Sequence, residues 1–325
     1  MEVKDIFTLK ERDLSLTLTG VISAQNWLAA NHPFLPVLSS KQASVEAGIG
    51  GEEKVSEISR RHLFPFDHHI FHDLSPSSDE KFQMDTYFMT PSYGLVFETK
   101  NIGGSLEFRE NPPQLIRTRE NGQKDGFESP VVQLDHNREL LSAWLRSRNI
   151  YIPIYGAVVL AYPRQIVEVP PSKAKVLFPS SIPAFINSIP KLTKKLDPYC
   201  FEWLSAELLN SHQRYIPKPI CEAYQIPFED IQPGVICKVC DRIGMVKHCR
   251  TWYCPYCEAT DHLAHVRNLQ EWFLLFKRTI TNRECREFLR VDNIHTATRI
   301  LQSSNMDMEG TFKNRSYIMD LSKVR

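Results

Sequence analysis

Two Cys-x-x-Cys pairs, Cys237-Lys238-Val239-Cys240 and Cys254-Pro255-Tyr256-Cys257, constrain this chain more tightly than any other feature of its sequence. Thirteen residues separate them. Four thiolates at that spacing close around one zinc ion as a tetrahedron, with no position left open for chemistry. His248 and Cys249 lie between the pairs, and either can substitute for one ligand. The other cysteines, Cys200, Cys221 and Cys285, are scattered and read as ordinary buried residues. Five of eight cysteines crowded into one segment suit a metal site in a reducing compartment better than a disulfide framework. A structural zinc stiffens a small module and catalyses nothing, so any activity must lie elsewhere.

The chain has 325 residues, 42% of them hydrophobic, which is enough for two or three domains with real cores. A formal net charge of +1 gives no global sign of a polyanionic partner. From Cys237 onward 15 Lys and Arg face 10 Asp and Glu, a local excess of +5 that is compatible with nucleic acid. The longest apolar run, Ile150 to Tyr162, is too short to span a bilayer. The first residues lack the charged-then-apolar layout of a signal peptide. A soluble, cytoplasmic protein with no membrane partner is expected, of undetermined oligomeric state.

The stretch Phe82 to Asn101 reads as two β-strands joined by a turn at Pro91 to Gly94. Its second strand ends in Glu98-Thr99-Lys100. Strand side chains alternate between faces, so Glu98 and Lys100 share one face and Thr99 takes the other. Asp85, on the first strand, can lie across from that pair. Two carboxylates beside an ammonium suit the holding of a divalent cation and the steadying of an attacked phosphate. On its own the pattern also describes an edge hairpin whose polar face meets water.

Around the hairpin the order is helix, strands, helix, buried strand. A helical piece is expected around Val21 to Ala30. Gly48-Ile49-Gly50-Gly51-Glu52-Glu53 then opens a second, with Val55, Ile58 and Leu63 at helical spacing. There Glu52 and Glu53 either cap the first turn or supply a further site carboxylate. His68, His69 and His72 sit on a candidate strand, where they cannot jointly grip one ion, and read as surface or packing residues. Two more strands are expected at Ser105 to Arg109 and Gln114 to Thr118, with Arg117, Arg119 and Lys124 as candidate phosphate contacts. Ser129 caps and Pro130 opens a helix whose apolar side is Val132, Leu140, Leu141, Trp144 and Leu145, with Gln133 in its first turn. Ile152 to Ala161 is nearly all apolar and fits a strand buried on both faces of a mixed sheet. This is an α/β domain.

After the cysteine module, helices are expected at Asp261 to Phe276, at Asn282 to Leu289 capped by Thr281, and at Asn293 to Leu301. A hairpin follows at Glu309 to Ile318. Helix, turn, helix and basic β-wing form the layout of a winged helix-turn-helix. In that layout His295, Thr298 and Arg299 face a DNA groove, while Lys313 and Arg315 touch backbone.

Taken in combination, several motifs resemble the nuclease-related domain (NERD) family of the PD-(D/E)XK nuclease-like superfamily. They are Asn31-His32-Pro33, Gly48-x-x-Gly51-Glu52, Phe82-Gln83-Met84-Asp85, Glu98-Thr99-Lys100-Asn101 before Gly103, Gln114-Leu115-Ile116-Arg117 and Pro130-Val131-Val132-Gln133. The likeness spans roughly residues 30 to 170, and the zinc ribbon and helical tail look like the C-terminal portion of bacterial members. The resemblance implies a restriction-endonuclease-like mixed α/β core. Its implied catalytic set is Glu52, Asp85, Glu98 and Lys100, with Gln133 in support. The doubled acid leaves open whether Glu52 or Glu53 fills the helix position. Thr99 replaces the usual apolar residue.

Expected segments are a leader (1–45), the nuclease-like domain (46–170), a proline-rich helical connector (171–235), the zinc ribbon (236–260) and the winged-helix-like module (261–325). The expected function is metal-dependent hydrolysis of phosphodiester bonds, in DNA, during DNA processing or defence. Asp85 and Glu98 would hold Mg2+ or Mn2+, and Cys237, Cys240, Cys254 and Cys257 would hold Zn2+. The rival is a catalytically inactive DNA-binding or regulatory protein that keeps the nuclease fold as a scaffold.

Overall fold

In the computed structural model, which describes residues 7–78, 80–190, 193–311 and 314–323, the chain forms two compact units. One comprises residues 1–13 and 46–214, the other residues 14–45 and 215–325. Segment 14–45, read from the sequence as a leader, therefore folds with the C-terminal part. In chain order the elements are β1 (Thr8–Lys10), α1 (Leu16–Trp27), α2 (Leu35–Arg61), β2 (His69–Leu74), β3 (Met84–Met89), β4 (Gly94–Lys100), β5 (Ser105–Glu110), β6 (Pro113–Thr118), β7 (Lys124–Glu128), α3 (Pro130–Arg146), β8 (Ile154–Leu160), β9 (Ile166–Val169), β10 (Lys175–Leu177), α4 (Ile182–Ser188) and α5 (Pro198–Ser211). They continue as α6 (Ile220–Tyr224), β11 (Val246–His248), β12 (Thr251–Tyr253), β13 (Thr260–Asp261), α7 (Ala264–Leu275), β14 (Thr279–Thr281), α8 (Asn282–Leu289), α9 (Ile294–Ser303), β15 (Asp307–Glu309) and β16 (Ser316–Ile318). Among the described residues no helix is long and apolar enough to cross a membrane.

The first unit is a mixed α/β domain on a six-stranded sheet of order β1-β2-β3-β4-β8-β10. The hairpin expected at 82–101 forms as β3 and β4. It is not an edge, because β2 pairs with β3 and β8 runs parallel to β4 from Gly94/Ile154 to Lys100/Leu160. Alternation buries both faces. Leu95 and Phe97 of β4, with Ala157 and Val159 of β8, join Val55 of α2 and Ile186 of α4 in one core. Val96 and Val158 point the other way and join Leu134 and Leu141 of α3 and Leu204 of α5. Glu98 and Lys100 continue the Val96 row, so they emerge under α3 where the apolar row ends. A second sheet of order β7-β6-β5-β9 holds both strands expected at 105–118. Its outer strands β7 and β9 are short and largely exposed, and carry no periodic signal.

Three helices differ from the expectation. Helix α1 spans Leu16–Trp27, earlier in the chain than the piece expected around Val21 to Ala30. No helix opens at Gly48: α2 starts at Leu35 and runs through all three glycines, so Glu52 and Glu53 stand mid-helix and cap nothing. It ends at Arg61, leaving Leu63 80% exposed outside it. Packing explains the tolerated glycines. A Cβ on Gly51 would lie 2.8 Å from Asn101 Cβ and 3.1 Å from Ala161 Cβ, so only glycine lets α2 approach the ends of β4 and β8. Helix α3 begins at Pro130 as expected, but the Ser129 side chain makes no capping bond. Val132 is exposed, and Leu134 takes its place in the core.

The second unit packs α1, α7, α8 and α9 around Trp27, Trp272, Phe273 and Phe288. Trp27 Nε1 donates to the buried Glu271 carboxylate at 2.7 Å. Helix α8 occupies the expected residues, and Thr281 and Glu284 form a reciprocal capping box. Strands β14, β16 and β15 form a sheet in that order, and β11-β12-β13 form another. Strand β14 escaped sequence reading because its three residues are too few to show a period.

Substitutions at the α2 glycines should separate packing from propensity. Gly51→Val is expected to cost about 1–3 kcal/mol by overpacking and to lower Tm by several degrees. Gly48→Ala, whose Cβ meets nothing within 4 Å, should gain up to ~1 kcal/mol of helix propensity. Equal melting temperatures for the two variants would contradict the close approach of α2.

Candidate functional site

Three acids and a lysine meet at the carboxyl ends of β4 and β8, the end of a parallel strand pair where open α/β sheets place their ligands. Lys100 Nζ donates to Glu98 Oε1 at 2.7 Å, on the shared face that strand alternation requires. Asp85 Oδ2, from β3, accepts the Thr99 backbone N–H at 2.7 Å. Glu52, from α2, takes a hydrogen bond from Arg12 Nη1 through its Oε2. Glu53 turns outward to Arg60, so Glu52 is the member of the pair that faces the cluster.

Glu98 is only 6% exposed. Burial, then the Asp85 charge, pushes its carboxyl up to about 8 against the opposing pull of Lys100. Glu52 rises to about 7, chiefly through burial and Asp85, with Arg12 working against both. Burial also raises Asp85, although Lys100, the Thr99 amide and Arg12 favour its ionised form. Burial penalises the Lys100 ammonium, but Glu98, Asp85 and Glu52 outweigh that penalty and hold it above its ordinary value. The pocket is short of positive charge.

Two side chains here carried no sequence signal. Asn137 of α3 donates to Gln83 O at 2.9 Å and approaches Glu98 Oε2 at 3.5 Å. Gln133, one turn earlier, donates instead to Glu128 at 2.8 Å. The i, i+4 relation between the two was the only available pointer. Arg12 arrives from the segment after β1, outside every motif.

The second candidate is the cysteine cluster. Cys237, Cys240, Cys254 and Cys257 place their sulfurs within 4.8 Å of one another, with the Cys237–Cys257 and Cys240–Cys254 pairs at 3.6 Å. A zinc tetrahedron with Zn–S of about 2.3 Å has edges of about 3.8 Å, so the four sulfurs are spaced for zinc. Cys249 is exposed, and neither it nor His248 belongs to the cluster. Among the described residues no three carboxylates or histidines converge as closely as these thiols. His68, His69 and His72 are packing residues: His68 stacks on Phe88, His69 on Phe201, and His72 shares a hydrogen bond with Thr86.

The basic residues expected at nucleic acid fare unevenly. Arg117 and Arg119 both bind Asp125, at 2.6 and 2.7 Å, which offsets part of their charge. Thr298 Oγ1 bonds Ile294 O and Asn282, whereas Arg299 and His295 are exposed on α9. Arg315 is half-buried, with no partner for its Nε among the described residues. Lys313 lies outside the described residues.

Residues 47–161 match the family model of the nuclease-related domain, NERD, which spans α2 from Ala47 through β8 and therefore contains Glu52, Asp85, Glu98 and Lys100. No curated protein and no solved structure matches the chain.

Two outcomes follow. The purified protein should carry about one zinc per chain by elemental analysis, and Cys254→Ser should lose it and lower the melting temperature. A zinc-free wild type with unchanged stability would rule out the structural role. In metal-free buffer, Glu98 binds its proton more tightly folded than unfolded. Its contribution to stability is therefore full below the ordinary value of 4.5 and lost as pH rises through about 8. Melting temperature should fall across that window, and Glu98→Gln should flatten the fall. Parallel curves for the two proteins would contradict the buried acid.

Proposed function

We propose that the nuclease-related domain at residues 47–161 hydrolyses phosphodiester bonds in nucleic acid, with DNA as substrate and Mg2+ or Mn2+ as cofactor. One observation carries this reading: Asp85, Glu98 and Lys100 converge at the end of β4, with Glu52 close enough to raise the Glu98 pKa. The donors are all carboxylate oxygens, which fit a hard divalent cation, and their suppressed ionisation marks a place where added positive charge is favourable. Asp85 and Glu98 would hold the ion, with Glu52 as a further ligand. When bound, such an ion polarises a phosphate oxygen and acidifies a water molecule.

The chain's own groups do the rest. Lys100 stays charged beside Glu98 and can turn its ammonium to the attacking water or to charge developing on the phosphate. Asn137 and the Thr99 amide fix Glu98 and Asp85, so neither has to reorganise during reaction. In the second unit, α7, β14, α8, α9, β15 and β16 follow winged-helix order, with β16 lying between β14 and β15. We assign α9 to DNA contact through Thr298 and Arg299, the wing to backbone contact through Lys313 and Arg315, and Arg117 and Arg119 to phosphates beside the nuclease site. The four cysteines hold a structural Zn2+ next to this module.

One observation favours the rival, a DNA-binding protein that keeps the nuclease fold without cutting. Lys100 and Arg12 already occupy oxygens of Glu98 and Glu52, and the acids do not close into a tight cluster by themselves.

Cleavage of linear, nicked and single-stranded DNA decides between them. Wild type should cut only when Mg2+ or Mn2+ is supplied, and Glu98→Gln and Lys100→Met should each lose about 10²-fold or more in rate. Equal cleavage by all three proteins removes the enzyme assignment. DNA binding without cleavage by wild type establishes the rival.

A further inference from the structure

Arg12 stands outside residues 47–161, yet its guanidinium reaches the acid cluster. The segment that carries it is fastened on both sides. Before it, β1 pairs in parallel with β2, and the buried Lys10 donates to His72 O and to Asp13 Oδ2, each at 3.1 Å. After it, the Asp13 N–H donates to Asp73 Oδ2 at 3.2 Å, and Asp13 Oδ2 pairs with His212 Nε2 at 2.8 Å. Arg12 itself is largely buried, with Nη1 on Glu52 Oε2 and Nη2 on Ser56 Oγ at 3.4 Å.

We propose that Arg12 is a positioning residue that fixes Glu52 as a divalent-cation ligand beside Asp85 and Glu98. The inference rests on the metal-dependent reading above. Glu52 and Asp85 are each held through one oxygen by a fixed donor, Arg12 on Glu52 Oε2 and the Thr99 amide on Asp85 Oδ2, whereas Glu98 is held through both, by Lys100 on Oε1 and Asn137 on Oε2. Among the described residues no donor bonds Glu52 Oε1 or Asp85 Oδ1, which leaves both to face a cation. Donors that fasten one side of a ligating carboxylate orient the other, and their loss typically weakens metal binding by about 10–100-fold. Arginine suits the task because it stays charged and its planar fork fixes direction as well as distance. A solvated surface pair would not need its chain anchored into the fold on both sides, as Lys10 and Asp13 anchor this one. The geometry gives the N-terminal strand a part in the site that the matched family segment does not contain.

The test is calorimetric titration of Mn2+ into the zinc-loaded 325-residue chain, with each variant's fold checked by circular dichroism and melting temperature. Arg12→Met should weaken Mn2+ binding by about 10–100-fold, and Arg12→Lys should recover part of the loss. In a Glu52→Gln background Arg12→Met should add little, because the residue it orients has lost its ligating charge. Unchanged or tighter Mn2+ binding by Arg12→Met overturns the proposal, since the arginine would then be idle or would compete with the cation. Equal weakening in both backgrounds overturns it too, because the effect would be a general loosening of the fold. Wild type that binds Mn2+ with the expected pattern but cuts no DNA leaves the positioning role standing and removes the nuclease reading. Cleavage without measurable Mn2+ binding does the reverse.

Discussion

Like charge crowded into a largely buried site is the constraint to which the first unit answers. Two unit charges about 4 Å apart interact by about 4 kcal/mol at an effective dielectric near 20, against a net domain stability of about 5–15 kcal/mol. Glu52, Asp85 and Glu98 cannot all ionise there without compensation. Three devices supply it: the Lys100 ammonium, the Arg12 guanidinium, and the raised pKa values of Glu98 and Glu52, which burial and the Asp85 charge push up. The fold is arranged to maintain this tension. The parallel pair β4–β8 delivers Glu98 and Lys100 to one edge, Gly51 lets α2 bring Glu52 close, and β1 brings the second cation. Such an arrangement costs stability.

In the second unit the cysteine cluster meets a different need. Its sheet β11-β12-β13 has strands of two or three residues, too short to hold a hairpin together unaided. Cys237 and Cys254 belong to the same buried cluster as Trp252, Trp272 and Phe288. A metal at the four sulfurs would fasten the knuckles to the core on which α7, α8 and α9 also pack. Trp252 Nε1 donates to His265 at 2.9 Å, tying the sheet to α7. His265 consequently works as a neutral acceptor, its pKa pushed down to about 4 by burial and then by Lys247.

What could be seen in the sequence was local. Strand alternation puts Glu98 and Lys100 on one face, cysteine spacing identifies the metal cluster, and Thr281 announces α8. Propensity misleads locally as well, at positions where packing decides. Three glycines argued for a break at 48–51, yet α2 continues through them because tertiary contact favours the missing side chain at Gly51. Val132 looked like core and is exposed, because α3 is rotated to lay Leu134 over Gly156, whose added Cβ would sit 2.7 Å from Leu134 Cδ1.

Arg12 and Asn137 were invisible for another reason. They reach Glu52 and Glu98 across 40 and 39 residues of chain, and no periodicity links positions that far apart. Charge accounting nevertheless offered a route. A site assembled from Glu52, Asp85 and Glu98 with only Lys100 nearby is left net negative, and a largely buried site with that balance favours another cation or protons. Few segments can provide one, since it must come from an element beside the hairpin. The strand pairing with β2 is such an element, and Lys10, Arg12 and Asp13 cluster at its end. Electrostatic neutrality thus reaches residues that pattern cannot, because it sums over the whole pocket irrespective of order along the chain.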